Sequence, residues 1–480
     1  MTAGRAGALL SASGGLGAKA RELAPFVEWS WDGESLSAQN DRFGFQPAYY
    51  WATDDEIMLS PSIPALLRLG ASADTDYRAL ATMLTFSFFI GDDTPFKQIR
   101  ALPPAARLTW SPGKFTLTSA PSTVAAKPVG YREALAQYDT LFRAAVARRL
   151  PAKEFAMPLS GGRDSRHILL ELHRAKARPK FCVTVKQYPP TASDDSRIAK
   201  LLAERLGLGH RDIEAPTDHF AAEMASLGRC SFNAIGLSQW SVVVDLCRAQ
   251  GIDTVYDGLG GDFLSAGAQL TPDKLRLLDA GRLEDVARAC MQDGHAFRQS
   301  FVKPTVRERL ALEAGIERFA QELGNHLGAG NPLTSFLFYN RCRRRIAQNP
   351  LANFDEIATV HLPYLDDELV GFLLSLPASL LVGHSFHTDT IHAAFPQYRD
   401  IPFEKDWTLA GDARHFMRLS RDILRHVAGN PRSAFLRLAP LSARYALAAV
   451  LPAMADQAAW STPWVVYFLA LEDALRRRRA

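Results

Sequence analysis

The rhythm of apolar and polar positions changes near residue 120. Before it, short apolar runs at Ala48–Ala52, Ile57–Ser60 and Arg107–Trp110 are bounded by Gly, Pro and Asp, the punctuation of strands and turns. This part reads as β-rich with a few helices. After it, Leu135, Tyr138, Leu141, Phe142 and Ala145 recur at helical spacing, and the short apolar run Phe155–Leu159 follows as a strand. Arg166–His173 then reads as a helix, Phe181–Val185 as a buried strand, Ser196–Leu206 as an amphipathic helix and Thr254–Tyr256 as another strand. Such alternation predicts a parallel sheet covered by helices, because parallel strands need long crossovers that bury both faces. From about Ala266 helical patterns dominate, Leu369–Leu376 among them. Between the two parts, Ser119–Gly130 (SAPSTVAAKPVG) has no hydrophobic period and reads as a linker.

Composition narrows the class. At 480 residues the chain is too long for one ordinary core, and 47% hydrophobic with 22% charged residues is typical of folded globular proteins. A net charge of +4, from 55 basic and 51 acidic side chains, is far below a nucleic-acid-binding field, so no nucleic-acid partner is expected. Arg341, Arg343, Arg344 and Arg345, and the terminal run Arg476 to Arg479, admit a reading as nucleic-acid or membrane contacts; the terminal run reads better as a solvated end. Five cysteines scattered singly, with no C-x-x-C spacing, argue against zinc, redox chemistry and a disulfide framework, and favour a cytoplasmic protein. Ala8–Leu10 is too short an apolar run for a secretory signal, and no stretch is long enough to insert in a membrane. Tyr445–Met454 is apolar but holds Pro452, so it is expected as a packed helix.

The segment that carries chemistry is Leu159-Ser160-Gly161-Gly162-Arg163-Asp164-Ser165, placed where a strand gives way to a helix. Two glycines let backbone approach an anion, the serines add hydroxyl donors, and the following helix offers unpaired N–H groups and a positive dipole end. This makes a phosphate or pyrophosphate cradle; a capped Gly-Gly turn is the plainer alternative. No G-x-x-x-x-G-K-[ST] occurs, so the nucleotide chemistry of Walker-type loops does not apply.

S-G-G-x-D-S resembles the signature of the PP-loop ATP pyrophosphatases, and three later segments narrow the resemblance to the asparagine synthetase B group. Tyr256-Asp257-Gly258-Leu259-Gly260-Gly261-Asp262 resembles that family's S-G-E-G-S-D loop, His361 to Asp366 its R-V-P-F-L-D, and Pro402-Phe403-Glu404-Lys405 its late lysine motif. Upstream, Asp41 to Tyr50 is similar to the D-R-x-G-x-x-P-L-Y-Y of the glutaminase half, and the resemblance covers roughly residues 25 to 410. It implies an N-terminal extension over 1–24 and a degenerate Ntn-hydrolase-like α+β sandwich over 25–120. A PP-loop parallel-sheet synthetase domain over 131–480 would follow, helical from about 266. It further implies that ATP is used with Mg2+. Ser160, Gly161, Gly162, Asp164 and Ser165 would bind the pyrophosphate part, while Leu159, Val185, Asp257 and Gly258 would hold adenosine. Asp164 and Asp262 would hold magnesium, whose hardness suits carboxylate oxygens, and Lys405 would stand near the α-phosphate. Asp164, Asp262 and Lys405 are therefore the expected catalytic groups. The implied reaction joins a carboxylate, through its acyl-adenylate, to an amine; the carboxylate- and amine-bearing substrate could be a peptide.

Departures from the family pattern sharpen this. Glutamine-using members begin with a nucleophilic cysteine, whereas this chain begins Met1-Thr2-Ala3 and its first cysteine is Cys182, in a predicted buried strand. No glutaminase activity is expected. Leu259 stands where the family loop has glutamate, and Phe263 where an acidic residue commonly follows the metal aspartate, so the amine acceptor should differ from that of asparagine synthesis. Members lacking the cysteine resemble β-lactam synthetases and lasso-peptide macrolactam cyclases, so a specialised peptide or natural-product ligase leads. An ammonia-dependent asparagine synthetase is the second reading, a tRNA-modifying PP-loop enzyme the third, and a non-catalytic scaffold working with biosynthetic partner proteins the alternative of a different class. Arg163, Arg166 and His167 add charge near the loop, to grip an anion or simply to snorkel and pack. His384 and His387 are three apart but show no third metal ligand in the sequence.

Overall fold

The structure, a computed structural model, describes residues 25–120, 123–186, 194–292, 294–354, 357, 359–383, 385–404 and 412–478, with the short strands 2–3, 13–17, 191–192 and 408–409. The first part is two antiparallel sheets. One runs through Ser13–Gly17, Phe26–Trp31, Leu36–Asn40, Ala106–Ser111 and Lys114–Ser119; the other orders Thr2–Ala3, Ile57–Ser60, Tyr49–Ala52 and Arg100–Ala101. Alternation drives the packing, since along Ala106–Ser111 every second residue is buried. Val27, Leu36, Leu108 and Trp110 from one sheet meet Tyr50, Ile57 and Leu59 from the other. Helices Ile63–Arg68 and Tyr77–Phe86, capped by Ser62 and Asp76, close the outer side.

The segment expected as a linker is not a free tether. Over residues 123–130 it has no regular structure, yet Val124 and Val129 pack on the large core, Lys127 N–H donates to Ser375 O, and Val124 O accepts from Gly330 N–H.

The second part is built on five strands: β1 (Ala156–Pro158), β2 (Phe181–Val185), β3 (His210–Ile213), β4 (Thr254–Tyr256) and β5 (Thr359–His361). All four pairings are parallel and the spatial order is β3-β2-β1-β4-β5. The chain leaves β1 toward β2 on one side and returns to β4 on the other. A sheet wound both ways opens a crevice beyond the carboxyl ends of the strands where the order reverses. Here that crevice lies past β1 and β4, whose following loops are Leu159–Ser165 and Asp257–Asp262. The helical carboxy-terminal part packs on the first part through a core joining Leu66, Leu80 and Phe96 to Phe416, Ile423, Tyr445 and Phe468.

Two expectations are corrected. Tyr445–Met454 is not one helix: Leu438–Ala448 ends before Pro452, a new helix starts at Pro452, and Val450 and Leu451 between them are exposed. The run Arg341–Arg345 is not a surface patch. Phe338–Ile346 winds as a wider π-helix and buries Arg343 and Arg344 against the first part. Arg344 donates to Gly91 O, Asp93 O (2.8 Å) and Asn233 Oδ1 (2.8 Å), and Arg343 to Gly91 O (2.9 Å). No described helix is long and apolar enough to cross a membrane.

Candidate active site

The phosphate-type loop leaves β1 at Leu159, whose N–H donates to Val183 O (2.8 Å). Ser160 Oγ lies 3.0 Å from Ser165 Oγ and accepts from Gly162 N–H (3.2 Å), while Ser160 N–H donates to Ser165 Oγ (3.0 Å). Gly161 N–H donates to Asp195 Oδ1 (2.5 Å). The loop is thus a tight turn tied to itself and to the start of the helix Asp195–Arg205. Helix α1 (Asp164–Arg174) follows with no side chain capping its N-terminus, which leaves its first N–H groups facing the crevice.

The loop after β4 approaches this turn closely. Gly260 has φ +98°, a left-handed conformation that starts the short helix Gly261–Ser265. A Cβ at Gly258 would lie 2.5 Å from Asp164 Cβ, and one at Gly261 2.4 Å from Asp164 Cγ. Only glycine at these two places lets Asp164 and Asp262 share the crevice. Asp262 N–H donates to Asp164 Oδ2 (3.1 Å), and Leu259 N–H to Asp257 Oδ1 (2.8 Å).

Leu159, Ser160, Asp164, Ser165, Val185, Asp257, Gly258 and Asp262 line one cavity of about 490 Å³. Gly161 and Gly162 form the turn behind it. Lys405, the remaining expected site residue, lies outside the described residues, but the segment leading to it is held at the turn. Glu404 N–H donates to Gly161 O (3.0 Å). Arg166 donates to Ile401 O (2.9 Å) and Pro402 O (2.5 Å) and stacks 3.9 Å from the Phe403 ring centre. Arg166 therefore neither grips an anion nor snorkels; it is buried and fastens the late motif to the loop. His167 packs fully buried beside Phe142, as the plainer reading held.

Electrostatics mark the same place. Burial, and then the neighbouring Asp262, push Asp164 well above the usual carboxylate range. Burial pushes Asp257 up to about 6. Asp164 Oδ1 is buried without a hydrogen-bond partner. A pair of carboxylates, one with an unpaired buried oxygen, fits a hard divalent cation such as magnesium, which would displace the proton that burial favours. His387, whose partner His384 lies outside the described residues, is also drawn in: its Nδ1 is 3.5 Å from Asp164 Oδ1. Asp164, Asp262 and His387 each offer an atom within 4.8 Å of the others. His387 is fully buried among Ser265 Oγ (3.0 Å), Tyr364 OH (3.2 Å) and His167 Nδ1 (3.3 Å); burial and Arg163 hold it neutral, at about 3.

The sequence reading missed Asp195, Gln239, Trp240 and Asn349, which also line the cavity. Asp195 had one usable signal, an acidic residue opening a helix after a strand. Gln239 and Trp240 sit on a short turn of helix with no motif.

In the synthetase part, a family model described as asparagine synthase matches residues 137–387, and one described as a glutamine amidotransferase domain matches residues 20–120 of the first part. The former spans more than half of the chain, which belongs to the asparagine synthase family. It is accordingly an ATP-dependent ligase of the amide-bond-forming type. No curated protein matches the chain.

Proposed function

We propose that the chain activates a substrate carboxylate as its acyl-adenylate and passes the acyl group to an amine, as a specialised peptide or natural-product ligase without glutaminase activity. The observation that carries this reading is the convergence of the Ser160–Ser165 turn, the uncapped start of α1, Asp164 and Asp262 on one cavity at the reversal of strand order. A carboxylate oxygen attacks the α-phosphorus of ATP; the new C–O–P linkage forms as the bond to pyrophosphate breaks. The amine nitrogen then forms the C–N bond, AMP leaves with the bonding pair, and the amine proton passes to solvent. Carboxylates are poor electrophiles, so activation is what makes the second step feasible, provided water is kept out.

In this reading the turn and the α1 N-terminus bind the departing pyrophosphate, while Leu159, Val185, Asp257 and Gly258 seat the adenosine. Asp164 and Asp262 would hold magnesium, which when bound would offset polyphosphate charge. Lys405, reached through the segment that Arg166 fastens, would face the α-phosphate as a fixed cation. The nitrogen donor is an amine other than glutamine: the amidotransferase-like part contains no cysteine, and all five lie buried from Cys182 onward. Leu259, buried where the family loop has glutamate, removes a proton-relaying group and favours an amine other than ammonia.

The test is ATP–pyrophosphate exchange with magnesium across amino acids, short peptides with an internal Asp or Glu, and cell extract. Exchange stimulated by one substrate names the carboxylate. ATP bound by none of the preparations would end the ligase reading in favour of a scaffold.

A further inference from the structure

A second cavity, of about 290 Å³, adjoins the nucleotide cavity and shares Ile235, Gly236 and Arg345 with it. Its other walls include Phe416, Leu419, Ala459 and Trp464, largely from the carboxy-terminal helices Ala413–Gly429 and Thr462–Arg477, together with the buried Glu223, whose carboxylate accepts from Gly236 N–H (2.6 Å) and Ser238 N–H (3.3 Å). Most of the lining is apolar. These helices lie beyond the residues that the asparagine synthase model matches.

Arg345 is the cation that both cavities share. In the same stretch Arg343 and Arg344 donate to backbone oxygens of residues 91 and 93, and Arg341 lies over the Phe263 ring at 5.7 Å. Among the described residues the Arg345 side chain has no hydrogen bond, ion pair or ring partner, and Arg341, a like charge, is the nearby group that acts on it. Desolvation lowers its pKa to about 10. Arg345 is half-buried and lines both cavities, and guanidinium is shaped to take a carboxylate in two parallel hydrogen bonds.

We infer that the second cavity is the anchoring pocket for the acyl substrate, seating an apolar group whose own carboxylate, distinct from the one activated, pairs with Arg345. This rests on the ligase reading and deepens it, since the substrate would then carry two carboxylates: one brought to ATP, the other held at the neck between the cavities. The pocket is small beside the roughly 300–1,000 Å³ of whole-ligand sites, so it takes one side chain or terminal residue of a larger substrate.

Isothermal titration on the full chain tests this, with α,β-methylene-ATP plus magnesium as the nucleotide probe and 3-phenylpropionate as the carboxylate probe. Wild type binds both. Arg345→Met weakens 3-phenylpropionate at least tenfold more than it weakens the nucleotide, and Arg345→Lys restores part of the loss. Ala459→Phe fills the pocket from a position lining only the second cavity, and abolishes carboxylate binding with nucleotide affinity unchanged. Nucleotide binding in wild type, combined with no 3-phenylpropionate binding or with affinity indifferent to both substitutions, overturns the pocket. Absence of nucleotide binding in wild type overturns the ligase reading and the pocket together.

Discussion

Two regions of this molecule carry equally legible motifs and treat their half-buried carboxylates in opposite ways. In the first part Asp41, from the stretch resembling a glutaminase motif, accepts from the N–H groups of Phe26 (3.0 Å), Phe43 (2.9 Å) and Gly44 (2.9 Å). Asn40 beside it bonds Pro103 O and Ala106 N–H. Every one of these contacts is internal, and the motif ties strands together. In the crevice of the second part, Asp164 keeps an unpaired buried oxygen next to a second carboxylate. Backbone-satisfied polar groups stabilise a fold, whereas polar groups left short of partners lower stability and await a ligand. Likeness of sequence alone does not separate the two cases; the destination of each hydrogen bond does.

The largest effect should come from Asp164→Asn. Pyrophosphate exchange is expected to fall by at least about 10³-fold, on the order of 4 kcal/mol of transition-state stabilisation. The thermal midpoint should hold or rise, since a desolvated, like-charged group has been neutralised. Exchange within tenfold of wild type would break the contrast at its centre. The converse change, Asp41→Ala, orphans three N–H groups and should cost about 2–4 kcal/mol in denaturant unfolding, with nucleotide affinity kept within threefold. Lost affinity with intact stability would move Asp41 to the chemical side. Gly261→Ala is smaller in scale. Its methyl group would overlap the Asp164 carboxylate, and displacement worth about 1–3 kcal/mol should lower exchange tens-fold while the far-ultraviolet circular dichroism stays unchanged.

Much of this was readable from the chain. The period change near residue 120, the alternation that gives a parallel sheet and the Ser160–Ser165 turn are local patterns, and the elements they predict are present, though the helix read from Leu135 starts at Tyr131 and strands β3 and β5 are not among them. What pattern could not supply is long-range. Arg166 looks like a surface residue of a helix until the chain returns 235 residues later and offers it carbonyl oxygens. Arg343 and Arg344 form a basic run whose acceptors are backbone groups some 250 residues earlier. His387 is three residues from another histidine, yet what matters is Asp164, brought alongside by the fold. Side chains whose partners are backbone atoms leave no compositional trace, so these roles were invisible before the topology was known.

A last prediction asks whether strained charge in the second part is confined to the crevice. Glu171 lies on α1, two turns beyond Asp164, and is buried with Oε1 lacking a hydrogen bond. Burial pushes its carboxyl up to about 7 against the opposing pull of Arg174, 3.4 Å away. In the first part Asp93, also raised by burial, is better matched, bonded to Arg318 at 2.8 Å and Arg100 at 3.0 Å. A carboxyl whose folded pKa lies above its unfolded value near 4.5 contributes stability that is complete below pH 4.5 and lost as pH rises through 7. Glu171→Gln keeps the shape and removes the titration. The variant should match wild type near pH 4.5 and exceed it by on the order of 2 kcal/mol at pH 8, read from urea unfolding at both pH values. A stability difference that does not change across this window would show that Arg174 compensates the charge in full, leaving the crevice as the strained place in this helix.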